Sequence, residues 1–173
     1  MKITTLKIPD IKLIEPEIYE DDRGYFFESF NQQEFNEAIG TEISFVQDNQ
    51  SKSKKGVLRG LHYQKEPYAQ GKLVRVLSGE VFDVAVDIRE GSETYGRWIG
   101  EILSDQNKKQ LWIPKGFAHG FLALKEETVF SYKVNNYYNS EHEVSINPFS
   151  KSFSITWPKI NIFMSKKDRD ALG

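Results

Sequence analysis

The 173-residue chain contains no cysteine. Disulfides and thiolate metal sites are thereby excluded, and a reducing compartment suits such a chain. It has no apolar run approaching the roughly 18 residues of a membrane helix, so no membrane partner is expected. The first nine residues, Met1-Lys2-Ile3-Thr4-Thr5-Leu6-Lys7-Ile8-Pro9, are too broken by polar side chains for a secretory leader, and a cytoplasmic location is the expectation. An excess of one charge is also missing. Lys+Arg of 23 against Asp+Glu of 25 leaves a net charge of -2. A nucleic-acid binder is usually basic, so no nucleic-acid partner is expected. A local cation cluster for a phosphorylated metabolite is not excluded. No linker, repeat or low-complexity tract interrupts the chain, and residues 1–173 read as one domain. That length buries roughly two thirds of the unfolded surface.

What is present is period-2 patterning with turn signals between the runs, the mark of an all-β sandwich or barrel. The clearest strand pair is expected over 72–89, turning at Ser78-Gly79. Lys72, Val74 and Val76 share one face, and Leu73, Arg75 and Leu77 the other. Phe82, Val84, Val86 and Ile88 then alternate with Asp83, Ala85 and Asp87. Further on, Phe117, His119, Phe121 and Ala123 share a face, and Thr128, Phe130, Tyr132 and Val134 share another after the polar turn Lys125-Glu126-Glu127. The heavier apolar face is expected inside, which points Tyr132 and Lys72 inward; His119 follows only because two phenylalanines flank it. Two short helices are expected. Asn31 caps the first, with Glu34 completing a capping box and Gly40 ending it; Ser165-Lys166-Lys167-Asp168 opens the second. Ten or more strands with minor helix point to a jelly roll or related barrel.

Histidine is scarce, three in all, and two of the three stand in Gly-punctuated apolar segments. These are Gly56-Val57-Leu58-Arg59-Gly60-Leu61-His62-Tyr63-Gln64 and Ile113-Pro114-Lys115-Gly116-Phe117-Ala118-His119-Gly120-Phe121. Histidine moves protons near neutral pH, yet one on an apolar face is more often a satisfied core residue. The glycines permit bulges, which gather beside active sites. An inward Lys72 is either a binder of negative charge or a lysine whose head reaches water. Tyr132 is either a core aromatic with a paired hydroxyl or a proton donor. Asp168 has a capping reading of its own.

The two histidine segments resemble the signature motifs of cupins. Pro114-x-Gly116-x-x-His119 fits the second motif. The first departs: a metal cupin has H-x-H, and here the second position is Gln64. The acidic ligand expected a few residues on is missing, and Lys72 lies in that region. At most two of the usual ligands remain, so no metal and no cofactor are expected.

A narrower likeness follows. Asp22-Arg23-Gly24-Tyr25-Phe26-Phe27-Glu28, Phe45-Val46-Gln47-Asp48-Asn49, the His62 segment, Gln70-Gly71-Lys72-Leu73-Val74-Arg75-Val76, Phe82-Asp83-Val84-Ala85-Val86-Asp87-Ile88-Arg89, the His119 segment and Ser165-Lys166-Lys167-Asp168 occur in order along nearly the whole chain. Together they resemble the dTDP-4-dehydrorhamnose 3,5-epimerase family. The resemblance implies a cupin-type jelly-roll barrel with a few short helices, a homodimer, and epimerisation of a nucleotide-linked 4-keto-6-deoxy sugar at C3 and C5 through enolates. Carried over residue by residue, His62 is the base, Tyr132 the acid opposite it and Lys72 the group beside the C4 oxygen. Asp168 pairs with the base and favours its charged form. Arg59 and His119 match pocket positions; Arg23, Glu28, Gln47, Asn49, Glu143 and Lys167 match other nucleotide-sugar contacts, some supplied across the dimer. Tyr138 matches the aromatic that stacks on thymine. The stretch 145–150 departs from the family's W-N-D type pattern, and the chain stops soon after Asp168. Both bear on the packing around the last helix, the dimer edge and sugar preference. Epimerisation at one carbon of a related sugar, a metal-dependent cupin and a non-catalytic binding module are the competing readings.

Overall fold

A computed structural model describes residues 1–172; Gly173, the last residue of the expected domain, lies outside the described residues. In chain order the first strands are β1 (Lys2–Thr5), β2 (Lys12–Glu15), β3 (Ile18–Asp21) and β4 (Gly24–Phe27), followed by helix α1 (Gln32–Ile39). Then come β5 (Gln47–Ser53), β6 (Leu58–Gln64), β7 (Lys72–Ser78), β8 (Glu80–Asp87) and β9 (Trp98–Ser104). The chain closes with β10 (Gln110–Ile113), β11 (Phe117–Ala123), β12 (Thr128–Val134), β13 (Glu143–Ser145) and α2 (Lys166–Arg169). One sheet has the order β1-β2-β10-β7-β12-β5 and the facing sheet β13-β6-β11-β8-β9; β3 and β4 form a separate hairpin. This is the expected all-β cupin-type jelly roll.

The strand pair expected over 72–89 is not a pair. Both strands form, but β7 bonds to β10 and β12, whereas β8 bonds to β11 and β9 in the other sheet. The reason lies at Gly79. Its φ is 87°, and a Cβ there would meet the Thr128 side chain at 2.4 Å. Its N–H is bonded to Asp105 at 2.8 Å instead of closing a hairpin. The chain crosses from one sheet to the other at this point.

Three apolar layers result. Val74, Val76, Leu111 and Phe130 of the first sheet meet Val81, Ala85, Phe117 and Phe121 of the second in the barrel interior. Helix α1 covers the outside of the first sheet. Its Phe35 is buried against Trp112, with ring centroids 5.3 Å apart. Asn31 accepts from the N–H groups of Gln33 and Glu34, and Gly40 ends the helix at φ 76°, both as expected. The segment 146–164 covers the outside of the second sheet, where Trp157, Phe153 and Ile155 pack on Val84, Val86 and Leu122.

That third layer corrects the rule of the heavier face. On β7, β11 and β12 the rule holds: Val74, Phe117, Phe121 and Phe130 are interior. On β8 it fails. Phe82, Val84 and Val86 pack under the C-terminal segment, and Asp83, Ala85 and Asp87 take the barrel side. The divergent stretch 145–150 belongs to this cover. Ile146 exchanges both backbone hydrogen bonds with Leu61, and Trp157 donates to the Pro148 carbonyl at 2.9 Å.

Candidate active site

The site is built from both sheets. Strand β6 brings His62 opposite His119 of β11 as direct register partners. The pairing slips just beyond His119, the bulge that the glycines suggested. Gly60 adopts φ 108°, and a Cβ there would sit 2.6 Å from the His119 carbonyl oxygen. Only glycine lets the two backbones approach so closely. From the facing sheet β7 contributes Lys72 and β12 contributes Tyr132, in the same wall as Val74 and Phe130. The chain beyond Phe163 then crosses the mouth. Phe163 exchanges backbone hydrogen bonds with Gly56 and Leu58, which delivers α2 over β6.

These elements enclose a cavity of about 340 Å³ lined by Arg59, His62, Lys72, His119, Tyr132, Lys167 and Asp168, among others. That is the lower end of the range for small-ligand pockets. Each imidazole has its own carboxylate. His62 Nε2 lies 2.6 Å from Asp168 Oδ1, and His119 Nε2 lies 2.9 and 3.1 Å from the two Asp83 oxygens. Both carboxylates are buried. Asp168 donates its backbone N–H to Ser165 Oγ at 3.1 Å, so Ser165 caps α2 and the Asp168 carboxylate faces His62. With Nε2 engaged, Nδ1 is the nitrogen His62 has free for proton chemistry.

Charge is set mainly by burial. Burial pulls the His62 pKa below the ordinary imidazole value and outweighs the upward pull of Asp168. Asp168 acts as expected in favour of the charged form, but desolvation outweighs it and the net shift is downward. Burial also lowers the Lys72 ammonium to about 8, against the pull of Asp83 and Glu143. Lys72 donates to the His62 carbonyl oxygen at 3.3 Å and has no carboxylate within salt-bridge distance among the described residues. Holding a buried cation without a close counter-ion costs several kcal/mol, as expected where an anion is to be received. Burial pushes the Tyr132 phenol above its ordinary pKa, helped by Glu143, so it keeps its proton.

At the mouth a second set of residues is joined edge to edge. Tyr138 donates its hydroxyl to Glu143 at 2.9 Å, and Lys167 donates to the same carboxylate. Gln47 accepts from the Tyr138 N–H at 3.2 Å and donates to Asn49 at 2.8 Å. Arg59 is held by Ser53 Oγ and the Lys52 carbonyl. Eleven of the expected residues thus converge on the pocket or its rim. Arg23 and Glu28 do not. Arg23 sits at the exposed tip of the β3–β4 hairpin, paired with Asp21, and Glu28 follows β4. Asp83 was missed. Its signal was an acid in the middle of an apolar strand, which the heavier-face rule turned outward.

Barrel and site together define the class: a cupin-fold protein whose pocket is furnished for proton transfer. The comparisons narrow it. The family profile described as dTDP-4-dehydrorhamnose 3,5-epimerase matches residues 5–173. A relative of that name from Shigella flexneri is 58% identical over 168 residues, covering 97% of this chain and 93% of its own. The epimerase structure from Legionella pneumophila in complex with dTDP-4-keto-L-rhamnose superposes with a TM-score of 0.96 at 53% identity, covering 99% of this chain and 91% of that one. A 3'-monoepimerase from Streptomyces bikiniensis in complex with dTDP-quinovose reaches 0.91 at 32% identity, over 96% and 85% of the two chains. The chain belongs to the dTDP-4-dehydrorhamnose 3,5-epimerase family.

Proposed function

We propose that the protein epimerises dTDP-4-dehydro-6-deoxy-D-glucose at C3 and C5, giving dTDP-4-dehydro-L-rhamnose in dTDP-rhamnose biosynthesis. One observation carries the reading: His62 on one sheet and Tyr132 on the facing sheet stand across a single cavity that also holds the Lys72 ammonium. The C4 ketone acidifies the hydrogens on both neighbouring carbons. Nδ1 of His62 takes one of them, and the electron pair passes to the C4 oxygen. Lys72 stabilises that enolate oxygen, as a cation in a water-poor site does best. Tyr132 returns a proton from the other face and the centre inverts. His62 then gives up its proton to solvent and Tyr132 regains one, so the cycle closes with no net change in protons. Repetition at the second carbon completes the product. Asp168 holds the His62 ring, and Asp83 does the same for His119.

The cavity is sized for the sugar, which leaves the nucleotide at the rim. Arg59 and Lys167 are placed for the diphosphate, and Gln47, Asn49, Tyr138 and Glu143 for the nucleoside. A metal-free, cofactor-free reaction fits the donor set, because Lys72 stands where an acidic ligand is needed and the Gln64 amide is engaged elsewhere. We read residues 1–173 as one catalytic domain working as a cytoplasmic homodimer, in which Arg23 and Glu28 reach the partner's site. The exposed Tyr19, Tyr25 and Phe26 of the hairpin support that arm-like role. No helix among the described residues is long and apolar enough to cross a membrane.

Incubation of the substrate in D2O tests the chemistry. Deuterium is expected at both C3 and C5. Label at one carbon only would support the single-site reading, the activity named for the Streptomyces bikiniensis monoepimerase. No label at either carbon refutes this substrate.

A further inference from the structure

Gln64 occupies the position that breaks the metal-binding H-x-H pattern, and the site chemistry above leaves it without a task. It is the last residue of β6, two beyond His62, and it is buried. Its carboxamide is fully engaged with backbone. Nε2 donates to the Tyr68 carbonyl at 2.6 Å and to the Tyr137 carbonyl at 3.2 Å. Oε1 accepts from the Asn139 N–H at 2.7 Å. Two of these three bonds grip the residues on either side of Tyr138. The stretch 136–142 has no strand pairing of its own, and apart from backbone bonds at His142 it is held by side chains. The Gln64 amide grips the backbone on both flanks of the tyrosine, and through β13 it is also the register partner of Glu143.

We propose that Gln64 is the positioning residue for Tyr138, setting the place of the nucleotide-facing rim while taking no part in proton transfer. The inference rests on the reading of Tyr138 as a nucleotide contact. The residue type follows from the geometry. Two carbonyls must be met by donors and one N–H by an acceptor, which a primary amide does and neither a carboxylate nor an imidazole can. A glutamate would set negative oxygens against two carbonyls. A histidine lacks the second donor on the same atom. The position that serves a metal elsewhere in cupins serves a loop here.

Titration calorimetry with thymidine diphosphate, together with steady-state kinetics, tests this. Gln64→Met keeps the volume and removes all three bonds. Its affinity for thymidine diphosphate is expected to fall about tenfold, the scale of one net hydrogen bond. KM should rise in step and kcat stay within about threefold. In a Tyr138→Ala background the same change is expected to cost less than about twofold more, because the side chain it positions is gone. Losses that multiply in the double variant, or a kcat that falls as far as KM rises, would overturn the positioning role. Gln64→Glu keeps the acceptor and loses the donors, so it carries the same comparison should Gln64→Met not fold. Wild-type affinity in Gln64→Glu would overturn the role as well. Tyr138→Ala with undiminished affinity would instead remove the nucleotide reading of the rim, and the inference with it.

Discussion

Single residues in this pocket are tuned by burial against charge, and the balance sets the expected pH profile. His62 must be neutral to accept a proton. Burial holds its pKa below the ordinary imidazole value, so activity rises on an acidic limb lying below that value. Lys72 must be charged to meet the enolate. Its pKa of about 8 places the alkaline limb there, with activity lost as pH rises through it. Tyr132 does not set that limb, because its phenol is pushed upward. The profile of kcat/KM should therefore be bell-shaped. Lys72→Arg should move the alkaline limb well upward, since guanidinium stays protonated. Lys72→Ala should cost about 100- to 1000-fold in kcat, the usual effect of removing an oxyanion partner. An alkaline limb unmoved in Lys72→Arg would refute the assignment. His62→Ala and Tyr132→Phe should each lose most of the turnover, and near wild-type rates from either would defeat the role given to that residue.

Elements are held in register by polar groups as much as by apolar ones. At the end of β8, buried Asp87 accepts from Arg89 Nε at 2.9 Å, Arg89 Nη2 at 2.8 Å, Ser92 Oγ at 2.7 Å and Thr94 Oγ1. Arg89 also forks onto Asp10 and lies 4.6 Å over the Phe117 ring. This cluster closes the loop before β9. Burial alone would raise the Asp87 pKa, but the bonds from Arg89, Thr94 and Ser92 outweigh it and hold the carboxyl far below its usual range. A depressed folded-state value stabilises the protein above the unfolded carboxyl pKa of about 3.9, and that stability fades as pH falls further. Asp87→Asn is expected to cost about 3 kcal/mol near neutral pH. In thermal melts its deficit should shrink progressively below about pH 4. A deficit independent of pH would show that packing, not charge, is what Asp87 supplies.

At the scale of the whole molecule, the proposed nucleotide-sugar role of Arg23 and Glu28 needs a second chain, since Arg23 stands at the tip of the β3–β4 hairpin and Glu28 just after it, away from the pocket. Lys108 contacts that hairpin, its ammonium 4.0 Å over the Tyr25 ring. A trans role makes a sharp prediction. Arg23→Ala and His62→Ala homodimers should each be strongly impaired, and mixing them with subunit exchange should restore activity. In the hybrid one pocket has an intact His62 and receives an intact Arg23. No recovery despite exchange, shown by mass spectrometry, would place Arg23 in its own chain's site or outside any site. Sedimentation of the wild type should give a dimer, and Phe26→Ser should weaken it.

Sequence alone determined the strands within 72–89, 117–123 and 128–134, both helix caps and the face carrying Lys72 and Tyr132, because period-2 patterning and capping are local properties. The Gly60 and Gly120 bulge was legible for the same reason, as a backbone need that only glycine meets. Tertiary structure decided what depends on a third party. Strands β7 and β8 look like a hairpin until Gly79 sends them into different sheets, which register partners far along the chain dictate. Asp83 faces the barrel only because the segment 146–164 arrives to cover Phe82, Val84 and Val86, and a strand cannot announce which of two apolar layers will be the interior. The pairing of His62 with Asp168, 106 residues apart, and the net lowering of its pKa likewise depend on how deeply the closed barrel removes water from that pair.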